Sequence, residues 1–313
     1  MYFSDARCRK GLGGPTQKLL KMLEKSGLSE KIEKGAVVAI KMHLGEPGNC
    51  RYVRPIFPVL VADFIKKCGG RPFVTDTTVM YNTDRKDFFK YLNGARRNGF
   101  TAETLGCPLI ISGGFRDHGV TLPVPDPLIL PQVTFSQEIW EADFIFSLAH
   151  FTMHLQFPFA AALKNLSMGC VDQKTKLAMH STRKFSPLHL NVQAANTDGA
   201  KVLLKKFRGR VFACNLALDI TPECDCFDKT DLPIVPDLGI FASFDPVACD
   251  QAAWDALLKA PGYPGSLIEG SGGMQPGGDK VAACHSALKS SERYFDFLRQ
   301  ANIGSLEYEL VDG

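Results

Sequence analysis

The segment AVVAIKMHLGEPGN, residues 36–49, decides the fold class. It begins with an apolar run that predicts a buried strand and continues into a polar, glycine-containing loop. The next segment, PIFPVLVADFIKKC at 55–68, predicts a helix because Pro55 stands near its start and two glycines follow its end. RPFVT at 71–75 predicts the next strand. A strand, a helix and a strand in this order are typical of a right-handed crossover between parallel strands.

The same alternation continues along the chain. We predict further helices over 16–26, 85–98, 198–207, 245–258 and near 291–301, and further strands over 108–112, 143–148, 210–216, 238–243 and near 305–311. The proline-rich stretch 113–134 predicts a surface excursion that forms a hairpin. The sequence therefore predicts an α/β fold with a mainly parallel sheet flanked by helices, in a composite two-lobed architecture. We expect a single domain over 1–313 with lobes over 1–185 and 195–313.

Charge and composition exclude several classes of protein. The chain carries 36 Lys and Arg against 33 Asp and Glu, and a net charge of +3 is too small to indicate nucleic-acid binding. The first residues contain no apolar core of signal-peptide length, and no apolar run approaches the length of a membrane span. We therefore expect a cytoplasmic protein with no nucleic-acid or membrane partner. In that compartment its ten cysteines are expected to be reduced thiols.

Polar residues follow most of the predicted strands. Because ligands bind outside the carboxyl ends of the strands in doubly wound sheets, we expect a site where these segments meet. The catalytic candidates are His43, Glu46, His150, His154 and Lys164. The ligand-binding candidates are Lys41, Asn49, Asp76, Thr77, Asn165, His180, Ser181 and Asp245.

His150 and His154 have a spacing that places two imidazoles on one face of a helix, where they can share a metal ion. A histidine that only forms a hydrogen bond in a loop fits the same spacing. A zinc-protease site is not supported, because Phe151 stands where the motif requires glutamate. Lys164 and Asn165 either hold an anionic ligand or lie on an exposed helix face.

The string CDC at 224–226 is the densest cysteine feature of the chain. Two thiolates so close together can bind one metal ion or an iron–sulfur cluster where the loop turns tightly. The alternative is a loop with two free thiols. No ferredoxin-type cysteine run is present, so the candidate cofactors are a separate iron–sulfur cluster or a single transition-metal ion. The metal-ligand candidates are Cys170, Cys224, Cys226, His150 and His154.

Other well-known motifs are missing from the sequence. The loop at 262–278 has seven glycines, but no Gly-Lys-Ser/Thr follows, so it is not a phosphate-binding Walker A loop. No G-x-S-x-G elbow and no early G-x-G-x-x-G fingerprint occur. The loop either approaches a ligand with bare backbone or stays flexible, and we expect a flexible loop.

Six ordered strings carry a family resemblance. They are KMHLGEPGN (41–49), VTDT (74–77), SLAHFTMH (147–154), ALKNLSMGC (162–170), LAMHS (177–181) and the segment 224–252. In these strings the chain resembles the DUF362 family, often described as uncharacterised iron–sulfur centre proteins. Many relatives carry a ferredoxin-like insert with two four-cysteine runs after the segment that matches LAMHS. This chain has no cysteine from 171 to 213, so it resembles a version without that insert.

Three functions remain open at this point. The first is a metal- or iron–sulfur-dependent redox enzyme acting on a small molecule, for which the resemblance implies a separate ferredoxin or reductase as electron donor. The second is a metal-independent enzyme or binding protein for a small anionic metabolite, held by Lys41, Lys164, Asn165 and the glycine-rich loop, with His150 or His154 as acid or base. The third is a non-catalytic electron-transfer partner protein.

Overall fold

The computed structural model describes residues 1–8, 11, 13–288 and 292–313, which form an eight-stranded sheet and a separate hairpin. The strands are β1 (Tyr2–Asp5), β2 (Val37–Lys41), β3 (Arg71–Thr77), β4 (Leu109–Ser112), β5 (Gly119–Pro123), β6 (Gln132–Ser136), β7 (Phe144–His150), β8 (Val211–Ala217), β9 (Gly239–Ser243) and β10 (Val311–Asp312). The order in the large sheet is β10-β1-β9-β8-β7-β2-β3-β4.

The centre of the sheet is parallel. Strands β4, β3, β2, β7 and β8 run in one direction. Strand β9 is antiparallel to both of its neighbours, β8 and β1, and β10 pairs with β1 in parallel. The predicted α/β fold with a mainly parallel sheet is confirmed, and the hairpin expected within the stretch 113–134 forms from β5 and β6. The sheet takes strands from both predicted lobes, and the division into one domain with two lobes stays a prediction.

Helices cover both faces of the sheet. They are α1 (Pro15–Lys25), α2 (Leu28–Lys31), α3 (Ile56–Lys67), α4 (Phe88–Arg97), α5 (Ala102–Leu105), α6 (Gln137–Trp140), α7 (Ala162–Leu166), α8 (Gln173–Ser181), α9 (His189–Lys206), α10 (Pro246–Lys259), α11 (Lys280–Cys284) and α12 (Glu292–Ala301). Side chains alternate across each strand, so Val38 and Ile40 pack against α1, α3 and α4, whereas Ala39 faces α9 on the opposite side. The main apolar clusters therefore lie on the two faces of the sheet. Polar groups lie at the edge that the carboxyl ends of the central strands form.

Helix α9 differs most from the prediction, because it begins at His189 rather than at residue 198. Its first half is rich in polar residues, which a sequence pattern assigns to a loop. In the structure these residues are buried and bonded: the side chain of Asn191 accepts from the backbone N–H groups of Lys184 and Phe185, and the carboxylate of Asp198 accepts from three backbone N–H groups near β6. Tertiary hydrogen bonds thus stabilise a helix that lacks an apolar stripe.

The ends of the chain also differ from the prediction. Strand β1 and helix α8 were not predicted, and the strand expected near 305–311 is reduced to the two residues of β10. Helix α12 confirms the helix expected near 291–301, except that Ser291 lies outside the described residues. None of the described helices combines the length and apolar character needed to cross a bilayer. The cytoplasmic location stays a prediction.

Candidate functional site

A cavity of about 580 Å³ opens at the carboxyl ends of the central strands. Lys41 ends β2, Asp76 and Thr77 lie at the end of β3, and His150 ends β7. The loop after β8 reaches the same place with residues 224–227. This is the edge at which open α/β sheets bind their ligands.

Most of the predicted candidates line this cavity. They are Lys41, His43, Asp76, Thr77, His150, His154, Lys164, Asn165, His180, Cys224 and Cys226. The expectation that the strand ends bring these distant segments together therefore agrees with the geometry. The glycine-rich loop at 262–278 does not line the cavity. Backbone hydrogen bonds such as those of Gly262 to Met274 and of Gly277 to Leu258 join it to α10 and to itself, so the geometry does not support an anion-binding role for it at this cavity.

Two candidates from the loop after β2 lie outside the cavity. The carboxylate of Glu46 is buried and accepts from Nε of Arg85 at 2.5 Å, so it balances a buried cation. The side chain of Asn49 donates to the carbonyl of Phe227 at 3.1 Å, which joins this loop to the cysteine-containing loop. Both residues stabilise the loops around the cavity without lining it.

Three further candidates are also placed elsewhere. The thiol of Cys170 is buried and points at a backbone carbonyl of α7, and Ser181 donates to a carbonyl one turn earlier in α8. Asp245 accepts from two backbone N–H groups at the start of α10, as an N-cap residue does. Direct ligand binding by Ser181 and Asp245, and metal binding by Cys170 together with the CDC pair, are therefore not supported by the geometry.

Lys41 and Asp76 form a buried ion pair in the cavity wall. The Nζ atom of Lys41 lies 2.8 Å from a carboxylate oxygen of Asp76 and 2.8 Å from Oδ1 of Asn165. Burial alone would raise the pKa of Asp76, but the nearby cations, Lys41 foremost, outweigh it and lower that pKa. The charge of Lys41 is therefore already compensated inside the protein.

Lys164 and Lys176 differ sharply in their contacts. Burial, with the charge of neighbouring cations, lowers the pKa of each amine to about 8. The amine of Lys176 donates to Oγ1 of Thr77 at 2.5 Å and to the carbonyl of Thr78. Lys164 has no hydrogen-bond or ion-pair partner among the described residues, and its Nζ atom approaches the ring of Phe157 at 5.9 Å. Lys164 is thus the lysine of the cavity that is free to meet a ligand.

His150 uses both ring nitrogens inside the protein. Nδ1 lies 2.7 Å from Oδ1 of Asp225, and Nε2 lies 2.7 Å from the carbonyl of Leu218. Both partners accept hydrogen bonds, so both nitrogens donate and the ring is an imidazolium. Burial alone would lower the pKa of His150, but the charge and hydrogen bonds of Asp225 and Leu218 outweigh it and raise the pKa. This ring offers no lone pair, so the predicted metal-ligand role of His150 is not supported.

His154 and His180 are neutral imidazoles of the cavity, as is His43, whose pKa is lowered by burial and by the charge of Arg85. His154 does not share a helix face with His150, because it lies in the loop after β7. Burial and the charge of Lys164 lower the pKa of the His154 and His180 rings. The backbone N–H of Gln156 donates to Nδ1 of His154 at 3.0 Å, so a metal ion bound through the lone pair of this ring would replace that hydrogen bond. Nδ1 of His180 donates to the carbonyl of Lys176 at 2.7 Å, so Nε2 of His180 carries a lone pair.

Three potential metal ligands meet on the cavity wall. The ligand atoms of His154, Cys224 and Cys226 all lie within 4.8 Å of one another. In this structure Cys224 and Cys226 form a disulfide, which corrects the expectation that all ten cysteines are reduced. Once reduced, the pair offers two thiolates beside an imidazole, a donor set that suits a transition metal. No further His, Cys, Asp or Glu joins this group in the part of the chain that the structure describes.

The sequence model of DUF362, a domain of unknown function, matches residues 38–255. The chain belongs to the DUF362 family. The resemblance expected from the sequence is confirmed, and the matched residues include every residue that lines the cavity. No curated protein matches the chain.

Several solved structures, including the following two, are similar to this DUF362 chain. One is the lactate racemase apoprotein from Thermoanaerobacterium thermosaccharolyticum, at 15% identity over 66% of this chain and 49% of that chain, with a TM-score of 0.45. The other is a protein from Thermotoga maritima, at 13% identity over 80% of this chain and 59% of that chain, also with a TM-score of 0.45. The chain thus spans about half to three fifths of the length of these two structures.

Three residues of the site in this DUF362 member are not among the candidates predicted from the sequence. Asp225, Thr152 and Lys176 all line the cavity. Oδ2 of Asp225 and Oγ1 of Thr152 are buried without a partner among the described residues, so two polar atoms of the wall remain to be satisfied. The signals were present, because Asp225 stands between the two cysteines and Lys176 lies one helical turn before His180.

Proposed function

We propose that this protein is a metal-dependent enzyme that acts on a small anionic molecule bound in the cavity. The observation that carries the proposal is the meeting of His154, Cys224 and Cys226 on the wall of a 580 Å³ cavity, with their ligand atoms within 4.8 Å of one another. Three protein ligands are typical of catalytic sites, because the fourth position is left for water or substrate. A structural site would close that position with a fourth side chain.

A single ion fits these residues better than an iron–sulfur cluster. Clusters are held mostly by four cysteines, whereas the group here has two sulfurs and one nitrogen. A bound transition-metal ion would supply Lewis-acid or redox chemistry beside the substrate. We take the chain to be a version of the family without the ferredoxin-like insert. A redox reaction at this site would then draw electrons from a separate ferredoxin or reductase.

The free groups of the cavity suit an anionic substrate. The unpartnered amine of Lys164 attracts a carboxylate or phosphate, and Lys176, whose amine is bonded only to uncharged oxygens, adds to the positive field. The buried Oδ2 of Asp225, which has no partner among the described residues, would accept a hydrogen bond from a hydroxyl or amino group of the same molecule. The lone pair on Nε2 of His180 is available to take a proton, because its other nitrogen is held by a backbone carbonyl.

Metal and acid-labile sulfide content of protein purified under reducing, anaerobic conditions tests the proposal. We expect about one transition-metal ion per chain without sulfide. The metal should be lost in Cys224→Ser and in His154→Gln. The matched control is Cys170→Ser, which removes a cysteine outside the ligand group and should keep the metal. Folded wild-type protein without metal, or metal loss in the control alone, contradicts the proposal.

A further inference from the structure

The amine of Lys164 faces the cavity without a hydrogen-bond or ion-pair partner among the described residues. We propose that its Nζ atom condenses with the carbonyl carbon of an anionic aldehyde or ketone, such as a 2-oxo acid, to form an imine. This inference rests on the proposed function, because it names a substrate class for the same cavity. It assigns the covalent contact to a residue outside the metal-ligand group.

Lys164 differs from the other cations near the cavity in its contacts. Lys41 is paired with Asp76, and Lys176 is hydrogen-bonded to two threonines of the strand end. Arg85 is paired with Glu46. Only the amine of Lys164 is left without a hydrogen-bond or ion-pair partner among the described residues that line the cavity. An amine in this position can reach a bound carbonyl group without first breaking an internal contact.

The amine of Lys164 is also more often neutral than that of an ordinary lysine. An amine attacks a carbonyl only in its neutral form, and burial with the charges of Arg85 and Lys41 lowers the pKa of Lys164 to about 8. At neutral pH about a tenth of the Lys164 side chains then carry a free lone pair, several hundred times more than an ordinary lysine. The same positive surroundings favour a carbonyl compound that carries a carboxylate.

The cavity also holds a base for the proton transfers of imine formation. The nitrogen lone pair of Lys164 forms the new C–N bond, and the carbonyl oxygen takes up a proton to give a carbinolamine. The C–O bond then breaks and the oxygen leaves as water, while the nitrogen gives up its remaining proton and a C=N bond forms. Nε2 of His180, a neutral imidazole in the same cavity, can take the proton from nitrogen and return it to the leaving oxygen. The condensation is redox-neutral and needs no further reactant.

Trapping with borohydride tests this inference directly. The protein, with its disulfide reduced, is incubated with glyoxylate, pyruvate or 2-oxoglutarate. It is then treated with sodium borohydride, and the modified residues are mapped by peptide mass spectrometry. We expect a stable secondary amine at Lys164, and Lys176 left at the background level of surface lysines. Lys176 is the matched control, because its pKa is also about 8 but its amine is engaged.

Two variants test whether the adduct forms at Lys164. Lys164→Arg should abolish the adduct, and Lys176→Arg should retain it. Absence of an adduct at Lys164 with all three probes, or equal labelling of Lys176 in the wild-type protein, overturns the inference whether or not the variants fold. The trapping is repeated after the metal has been removed with a chelator. If the protein binds metal but forms no adduct, the imine is refuted and the metal-dependent function stands. If an adduct forms on protein that never binds metal, the metal-dependent function is refuted and the imine stands.

Discussion

Oδ1 of Asp225 accepts a hydrogen bond from Nδ1 of His150 over 2.7 Å, and both side chains are buried. Asp225 lies between the two cysteines, and His150 is the last residue of β7. The bond therefore fixes the cysteine-containing loop to a central strand of the sheet. The second nitrogen of His150 is bonded to the backbone after β8, so one ring joins three segments of the site.

Asp225→Asn tests the role of this bond in metal binding. The substitution removes the charge that keeps His150 protonated and loosens the loop that carries Cys224 and Cys226. Because groups that orient ligands typically contribute a factor of about 10 to 100 to metal affinity, we expect a loss of that size in a competition titration with a chelating dye. Asp228→Asn, an exposed acid of the same loop, is the control and should leave the affinity unchanged.

Stability should depend on pH through His150. Its pKa is raised in the folded protein above the usual value near 6.5, so folding favours the protonated ring. The resulting contribution is complete below about pH 6.5 and is lost as the pH rises through the raised pKa of the folded state. Urea unfolding of wild type and Asp225→Asn checks this: the difference in free energy of unfolding should be largest near pH 6 and should shrink at about pH 9. A difference that grows with pH would contradict the assignment of His150 as an imidazolium.

Metal binding should require a reducing environment. Cys224 and Cys226 are joined in the disulfide form and are free to ligate only as thiolates. A mild thiol oxidant should release the metal, and a dithiol reductant should restore binding by exchange with the disulfide. Mass spectrometry after thiol alkylation reports which cysteines change. Cys170 is the internal control, because burial raises its pKa to about 12 and keeps it an unreactive thiol. Metal retention by fully oxidised protein would rule out the two sulfurs as ligands.

Lys164 and Lys176 should have opposite effects on stability when each is replaced by methionine. The pKa of Lys164 is lowered to about 8, so folding disfavours its charged form at neutral pH. Lys164→Met should therefore raise the free energy of unfolding by roughly 1–3 kcal/mol, as is common when a functional group is removed from a buried site. Lys176→Met leaves the Thr77 hydroxyl and the Thr78 carbonyl without their buried donor and should lower it by about 1–3 kcal/mol. Chemical denaturation at neutral pH measures both, and a destabilised Lys164→Met would mean that this amine has a partner.

The positions of the candidate residues were easier to predict than their roles. Alternating apolar strands and amphipathic helices indicate a mainly parallel sheet, and such a sheet brings His43, Asp76 and His150 to one edge. The state of each group depends on its neighbours in space. His150 matches a metal ligand in the sequence, but a carboxylate from a loop far along the chain occupies one of its nitrogens.

The same limit explains why Lys41, Lys164 and Lys176 could not be distinguished from the sequence. All three lie in polar segments, and only the fold decides which amine meets a carboxylate, which meets threonines and which stays free. The polar half of helix α9 was missed for a related reason, since the groups that satisfy Asn191 and Asp198 come from segments outside the helix.

The antiparallel pairing of β9 with β1 affects how the sheet can assemble during translation. Tyr2 of β1 pairs with Ala242 of β9, so β1 leaves the ribosome long before the strand that pairs with it. The parallel core from β4 to β8 can assemble earlier, because its helical crossovers connect strands that follow one another more closely in the chain. During translation β1 is therefore an unpaired strand, available to a chaperone or to another nascent chain until β9 arrives.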